Sequence, residues 1–192
     1  MWEGIRVENI SKSYGKHKVL SNFSYCFREN TVTCIMGKSG CGKTTLLRML
    51  MGLETIDSGS VKGLEQKRTS VVFQEDRLCE KFTVLENVML VCKEKDRKNQ
   101  AVALLDRFGL GGCENKEVME LSGGMKRRVA IARALMIPFD VLFLDEAWKG
   151  LDAKTKKHAI RVVKDYCKEK TVISVTHDEK EVEMMGGILL EM

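Results

Sequence analysis

A glycine-rich segment at residues 37–44, GKSGCGKT, constrains the fold of this chain more than any other part of its sequence. Residues 31–36 precede it in the manner of a buried strand, and residues 46–51 contain leucines and methionines at helical spacing. Glycine lets the backbone bend so that several N–H groups point inward, and a helix start adds the positive end of its dipole. The spacing G-x-x-x-x-G-K-[ST] therefore predicts a strand, a phosphate-binding loop and a helix in direct succession.

The side chains of this loop predict how a nucleotide would bind. Its backbone is expected to hold the β- and γ-phosphates, and Lys43 supplies a positive charge to them. The hydroxyl of Thr44 is placed to ligate Mg²⁺, and Thr45 is expected near the α-phosphate. The alternative, a glycine-rich turn with an incidental lysine, is disfavoured by the flanking strand and helix. The predicted phosphate-binding residues are Gly37, Lys38, Ser39, Gly40, Cys41, Gly42, Lys43, Thr44 and Thr45.

Two acidic residues, Asp145 and Glu146, follow the apolar run at residues 141–144. A carboxylate at the end of a buried strand is costly without a partner, and a metal ion is a natural partner. Because strand ends of a parallel sheet line its ligand-binding edge, Asp145 is expected beside the phosphate loop. Adjacent strand residues point in opposite directions, so the two acids can have different functions. Two acids that merely begin a surface loop are the alternative.

The rest of the chain alternates between strand-like and helix-like segments, which implies a largely parallel sheet covered by helices. Residues 83–108 have a polar helical pattern that indicates a helical insert. Further strands are predicted at residues 5–7, 23–27, 60–61, 70–73, 171–175 and 188–190, and helices from Lys43 to Gly52, after Ser122 as far as Ile137, and at residues 153–166.

Five motifs occur in a fixed order: the phosphate loop, Gln74, the segment LSGG at residues 121–124, the strand that ends at Asp145 and Glu146, and His177. This order resembles the nucleotide-binding domain of ATP-binding-cassette (ABC) ATPases, and the resemblance covers nearly the whole chain. It implies an α/β fold of the P-loop NTPase kind, with a mainly parallel core sheet and a small antiparallel β region on the N-terminal side. A helical subdomain at about residues 75–137 would lie within one domain, residues 1–192.

The resemblance also implies roles for single residues and two cofactors, ATP and Mg²⁺. Asp145 would hold Mg²⁺, largely through water, and Glu146 would polarise the attacking water. Gln74 resembles the family's Q-loop glutamine and His177 its switch histidine, although a lone glutamine is usually a surface residue and a lone histidine usually structural. Tyr14 resembles the aromatic residue that stacks on adenine; a core position is the alternative. The implied catalytic residues are Lys43, Gln74, Glu146 and His177, and the implied metal ligands are Thr44, Gln74 and Asp145.

The LSGG segment implies a second copy of the chain as a partner. A glycine-rich helix start this far along the chain makes an anion site without a ligand of its own. In ABC ATPases this signature closes over the γ-phosphate held by another subunit, and Ser122, Gly123 and Gly124 match it here. A plain helix cap is the alternative, but glycine weakens a helix start that serine alone could cap.

The chain departs from the usual family pattern at two places. Met125 stands where many members carry glutamine, which removes a polar contact after the signature. Ala147 and Trp148 stand where a proline commonly follows the catalytic glutamate. Leu151 and Asp152 resemble the D-loop that communicates across the dimer.

Composition excludes several other classes of protein. The chain has 192 residues, 44% of them hydrophobic, and a net charge of +5 without long like-charge runs, so no nucleic-acid partner is expected. No apolar stretch reaches the roughly 18 residues of a membrane span, and no export signal is expected at the N-terminus. Seven cysteines without a C-x-x-C pair favour reduced thiols in the cytosol. The chain ends soon after its last predicted strand, so no appended regulatory domain is expected.

Two functional classes remain open. The first is the ATP-hydrolysing motor subunit of an ABC transporter. Residues 74–78 and 82–88 resemble importers of the nitrate, sulfonate and taurine group, which implies an importer. Such a subunit would lie on the inner face of the cell membrane, bound to integral permease subunits and served indirectly by a substrate-binding protein. Residues 75–91 would form the socket for the permease. The second is a soluble ABC ATPase that acts on nucleic acid, ribosomes or cluster assembly; the short helical insert, without long heptads, disfavours its DNA-repair members.

Overall fold

The computed structural model describes residues 4–92 and 97–192, which form two compact units. Unit 1 comprises Met1–Thr69, Phe139–Asp145 and Glu169–Met192. Unit 2 comprises Ser70–Pro138 and Glu146–Lys168. Strand β5 (Thr69–Val72) begins at the last residue of the first segment of unit 1 and continues into unit 2.

A small antiparallel sheet lies in unit 1, as predicted for the N-terminal side of the chain. It contains β1 (Gly4–Tyr14), β2 (His17–Arg28) and β4 (Ser58–Lys62) in the order β2-β1-β4. The first two strands are longer than predicted. Register shifts interrupt their pairing, and Asn9 and Asn22 each have a φ of 49°. These irregularities break the alternation of apolar and polar residues, which is the signal of a strand in sequence.

The larger sheet has five strands, and four of them belong wholly to unit 1. They are β3 (Val32–Met36), β6 (Val141–Asp145), β7 (Thr171–Val175) and β8 (Ile188–Glu191), in the order β6-β7-β3-β8. All their pairings are parallel, and Val175 is in register with both Asp145 and Ile35. The carboxyl ends of β3, β6 and β7 therefore meet at one edge, where parallel sheets bind their ligands.

Two helices complete unit 1. Helix α1 (Lys43–Leu50) follows the glycine-rich loop at the predicted residue. Helix α6 (Glu179–Met185) is absent from the sequence prediction, because only Glu181 and Met185 of its residues are buried and no apolar stripe marks it. Its start is nevertheless encoded locally, since the Asp178 side chain accepts a hydrogen bond from the Lys180 N–H.

Unit 2 is mainly helical. It contains α2 (Val84–Met89), α3 (Lys98–Arg107), a 3₁₀ helix (Val118–Glu120), α4 (Gly123–Leu135) and α5 (Ala153–Tyr166). Helix α4 ends before Ile137, the predicted end, because Met136 donates to the Arg133 carbonyl three residues earlier and tightens the last turn. Within the part of the chain that the structure describes, no helix combines the length and the apolar character that a bilayer crossing requires.

Candidate functional site

The phosphate loop connects β3 to α1 and has the conformation that its glycines allow. Gly40 and Gly42 have φ values of 81° and 102°, which side-chain-bearing residues rarely adopt. A Cβ atom on Gly42 would also lie 3.0 Å from side-chain atoms of Val19 and Leu20. The Gly42 carbonyl accepts the first helical hydrogen bond of α1, from the Leu46 N–H, at 2.7 Å. The loop therefore leads directly into the positive end of the α1 dipole.

Lys43 places its ammonium group inside the loop. The residue is only 5% exposed, and its Nζ donates to the carbonyls of Gly37 at 2.8 Å and Lys38 at 2.9 Å. Cys41 Sγ lies 3.8 Å from the same nitrogen. An ammonium group at a helix N-terminus, beside glycines that allow unusual backbone conformations, offers the positive charge that a phosphate group requires.

Oxygen donors of the predicted metal site are present at the same edge of unit 1. Asp145 is the last residue of β6 and is buried, whereas Thr44, in the first turn of α1, is exposed. A carboxylate and a hydroxyl are ligands that Mg²⁺ accepts, together with water and phosphate oxygens. The donor chemistry of these two residues therefore fits a magnesium ion.

His177 follows β7 at this sheet edge and is exposed. The neighbouring residue Thr176 is buried and donates a hydrogen bond to the carboxylate of Glu181, while the Asp178 N–H donates to Thr176 Oγ1 at 3.1 Å. These bonds fix the backbone on both sides of His177. The sequence pattern does not identify Glu181, because a carboxylate in the first turn of a helix ordinarily complements the helix dipole.

Tyr14, the last residue of β1, is 48% exposed, so its ring is available to a planar ligand. Its hydroxyl donates to Glu54 Oε2 at 2.8 Å. Glu54 in turn pairs with the buried Lys12, whose Nζ lies 2.9 Å from Glu54 Oε1. The hydrogen bonds from Lys12 and Tyr14 lower the pKa of Glu54 to about 2. This network holds Tyr14 next to the segment that follows α1, and sequence reasoning missed both Lys12 and Glu54.

The other predicted site residues belong to unit 2. Gln74 is exposed in the segment after β5, and Glu146 begins the turn after β6 with a φ of 46°. The Oε2 atom of Glu146 lies 3.4 Å from Lys149 Nζ. Trp148, at one of the departures from the family pattern, is fully buried. Arg127, a residue that the sequence analysis does not single out, donates to the carbonyls of both Gln74 and Glu146.

The signature segment begins helix α4. Ser122 is the N-cap residue, and its Oγ accepts a hydrogen bond from the Met125 N–H at 3.3 Å. The capping function that the glycines disfavour is therefore present, with a long hydrogen bond. Ser122 and Gly123 are exposed, so the start of α4 is accessible to an anion, to which its uncapped N–H groups can donate.

The structure thus divides the predicted site residues between the units. The residues of unit 1 are Tyr14, Gly37, Lys38, Ser39, Gly40, Cys41, Gly42, Lys43, Thr44, Thr45, Asp145 and His177. The residues of unit 2 are Gln74, Ser122, Gly123, Gly124 and Glu146. Unit 1 holds the predicted groups for the nucleotide and two of the three predicted metal ligands, and unit 2 holds Gln74, the predicted base and the signature.

Comparisons with known proteins identify the family and the fold of this chain. Residues 20–149 match the protein family described as ABC transporter. The chain belongs to the ABC transporter family. Its fold is that of an ABC ATPase cassette, since it matches MJ0796, a bacterial ABC transporter cassette solved as a dimer, with a TM-score of 0.85 and 29% identity. That match covers 97% of this chain and 94% of the other.

Named relatives of this ABC protein are subunits of importers. It is 38% identical to the sulfate/thiosulfate import ATP-binding protein CysA of Mannheimia succiniciproducens, over 92% of this chain and 55% of the relative. It is 39% identical to the aliphatic sulfonates import ATP-binding protein SsuB 1 of Shouchella clausii, over 92% of this chain and 72% of the relative. The predicted resemblance to sulfonate importers is confirmed. The chain spans about half the length of the CysA relatives it matches.

Proposed function

We propose that this chain binds and hydrolyses ATP as the motor subunit of an ABC importer. The observation that carries the proposal is the phosphate loop, in which the buried Lys43 lies at the start of α1, directly after glycines whose conformation lets backbone N–H groups face an anion. ATP would place its β- and γ-phosphates there and its adenine on the exposed ring of Tyr14. Thr45, in the first turn of α1, would lie near the α-phosphate.

Magnesium would be held by Thr44 and Asp145, with Gln74 as a further oxygen ligand. When bound, the ion neutralises charge on the phosphate oxygens. The chain's own residues would perform the remaining steps. Lys43 would stabilise the charge that develops on the γ-phosphate, and Glu146 would accept a proton from the attacking water. His177 and Gln74 would orient that water and the γ-phosphate.

A second copy of the chain would complete each ATP site. The exposed start of α4, with Ser122 and Gly123, offers N–H groups to a γ-phosphate held by the partner. The solved dimer of a related cassette supports this arrangement. ATP would thus join two chains, and hydrolysis would release them.

An integral membrane permease would bind unit 2. Two neighbouring segments expose apolar side chains there: Phe82 is 43% exposed and Met119 is 58% exposed. Backbone hydrogen bonds from Val118 to Phe82 and from Met119 to Glu80 hold these segments side by side. Leu90 and Val91 add further exposed apolar surface. Such a surface among charges suits a protein interface, and it would place the chain at the cytoplasmic face of the membrane, with a substrate-binding protein as an indirect partner.

The test is affinity purification of the tagged chain from detergent-solubilised membranes of its native host. We expect a multi-span permease to co-purify with the wild type and with Leu53→Asp, a control at a 51% exposed leucine in unit 1. Phe82→Asp should lose the permease but still bind ATP. Recovery of only soluble, ribosomal or nucleic-acid partners would favour the alternative class, an ABC ATPase outside transport.

A further inference from the structure

Arg127 is a buried arginine in the second turn of α4, and only 3% of the residue is exposed. Burying a guanidinium group carries a desolvation cost that a single ion pair does not generally offset. Arg127 forms an ion pair with Asp76, in which Nη1 lies 3.0 Å from Oδ1. Arg127 also donates to neutral backbone carbonyls on two separate segments of unit 2.

One side of the guanidinium group binds the segment that follows β5. The Nη1 atom donates to the Phe73 carbonyl at 2.7 Å and to the Gln74 carbonyl at 3.2 Å, in addition to Asp76. These bonds fix the main chain from which the Gln74 side chain extends.

The other side binds the turn that contains the predicted base. The Nη2 atom donates to the Glu146 carbonyl at 2.8 Å, and Nε donates to the Ala147 carbonyl at 2.7 Å. Glu146 has a φ of 46°, a left-handed conformation that is costly for a residue with a Cβ atom and needs support from its surroundings. Arg127 therefore donates to the carbonyl of this strained residue and to the carbonyl of the residue that follows it.

We propose that Arg127 is a positioning residue that fixes the Glu146 main chain relative to that of Gln74. The guanidinium group is planar and rigid, so donors on its two sides hold the two segments at a set spacing. The proposal rests on the proposed function, in which Glu146 accepts a proton from the attacking water and Gln74 orients that water. A shift of one segment would turn the guanidinium plane and move the other. Arg127 would therefore affect turnover more than ATP binding.

Arg133 provides a matched control on the same helix. Its guanidinium group also binds the segment after β5, through the carbonyls of Asp76 at 2.9 Å and Arg77 at 2.8 Å. Among the described residues, none of its hydrogen bonds reaches Glu146 or Ala147. Both arginines thus support the first segment, and Arg127 also supports the turn of Glu146.

The experiment compares Arg127→Lys with Arg133→Lys in the full chain, by steady-state ATPase kinetics and thermal unfolding. Lysine keeps the charge, but its single nitrogen cannot span both segments. We expect Arg127→Lys to lower kcat about 100-fold, because small misplacements of reacting groups cost about that much, with the KM for ATP changed less than about threefold. Arg133→Lys should change kcat less than about threefold. If Arg127→Lys lacks a cooperative thermal transition, Arg127→Gln, which buries no charge, takes its place.

A double-mutant cycle separates positioning from a general structural role. If Arg127 acts through Glu146, Arg127→Lys should lower the residual turnover of Glu146→Gln by less than about threefold. Equal losses of kcat in Arg127→Lys and Arg133→Lys would overturn this inference but not the proposed function. A full additional loss of turnover in the Glu146→Gln background would do the same. A wild-type chain that does not hydrolyse ATP would overturn the proposed function, and this inference with it.

Discussion

The two units hold their predicted site residues by different means. In unit 1, the phosphate loop follows strand β3, Asp145 is the last residue of β6, and His177 lies just after β7. The parallel register of these strands brings their ends to one edge. In unit 2, Gln74 and Glu146 lie in irregular segments whose carbonyls are bound by the Arg127 side chain. The register of the sheet depends on many residues, whereas the link between the two segments of unit 2 depends on one side chain, that of Arg127. Substitutions of site residues in unit 1 should therefore change mainly the affinity for ATP. Substitutions in unit 2 should change mainly the rate of hydrolysis, kcat.

The largest effect is expected at Glu146 in unit 2. Glu146→Gln should lower kcat at least about 1,000-fold, because an amide cannot accept a proton from the attacking water. ATP binding should change little. Single-turnover hydrolysis and fluorescent-nucleotide titration measure the two quantities separately. A variant that loses affinity as much as turnover would remove the contrast between the units.

The corresponding change in unit 1 is Lys43→Ala. It removes the buried ammonium group that the phosphates would contact, so the Kd for ATP should rise roughly 10- to 100-fold, the range for a lost charge-assisted hydrogen bond. Lys38→Ala, at an exposed lysine of the same loop, is the control and should change the Kd much less. Equal increases in the Kd for the two variants would mean that ATP affinity depends on positive charge near the loop in general and not on the buried position of Lys43.

Cys41 tests whether the loop of unit 1 is open to reagents when ATP is absent. Cys41 is partly exposed, and its Sγ lies 3.8 Å from Lys43 Nζ inside the loop, so a reagent bound to this thiol would occupy the phosphate site. Maleimide should inactivate the ATPase severalfold, Mg-ATP should protect it, and Cys41→Ser should be active and resistant. Cys34 is not expected to react, since burial raises its pKa to about 11. Equally fast inactivation of the serine variant would point to another cysteine, such as the exposed Cys79.

The smallest effect is a pH dependence from the Tyr14 network of unit 1. The hydrogen bonds from Lys12 and Tyr14 lower the pKa of Glu54 from its ordinary 4.5 to about 2. A carboxyl with a lowered folded-state pKa stabilises the fold fully above its unfolded pKa, and this contribution is lost as the pH falls from 4.5 toward 2. Thermal unfolding should show Glu54→Gln less stable than the wild type at pH 7, with the difference shrinking by about pH 3. A difference that does not change with pH would show that the carboxylate charge is not involved.

The same contrast explains which features the sequence predicts. Strand β6, helix α5 and the phosphate loop are predicted at or close to their observed bounds, because each has a continuous local pattern or spacing. Arg127 is missed because its hydrogen-bond partners lie about 50 residues before it and about 20 residues after it in the sequence. Nothing in the neighbouring sequence distinguishes it from a surface arginine. Lys12 and Glu54 are missed for the same reason. Residues fixed by distant side chains need the folded structure.

The most direct test of the account is whether ATP joins two copies of the chain through loop and signature. Light scattering should give Glu146→Gln the mass of one chain without nucleotide and of two chains with saturating Mg-ATP. Adding Ser122→Arg, at the exposed N-cap of α4, should keep ATP binding but leave a monomer. A Glu146→Gln variant that binds ATP and stays monomeric, or a dimer that persists with Ser122→Arg, would contradict the proposed composite site.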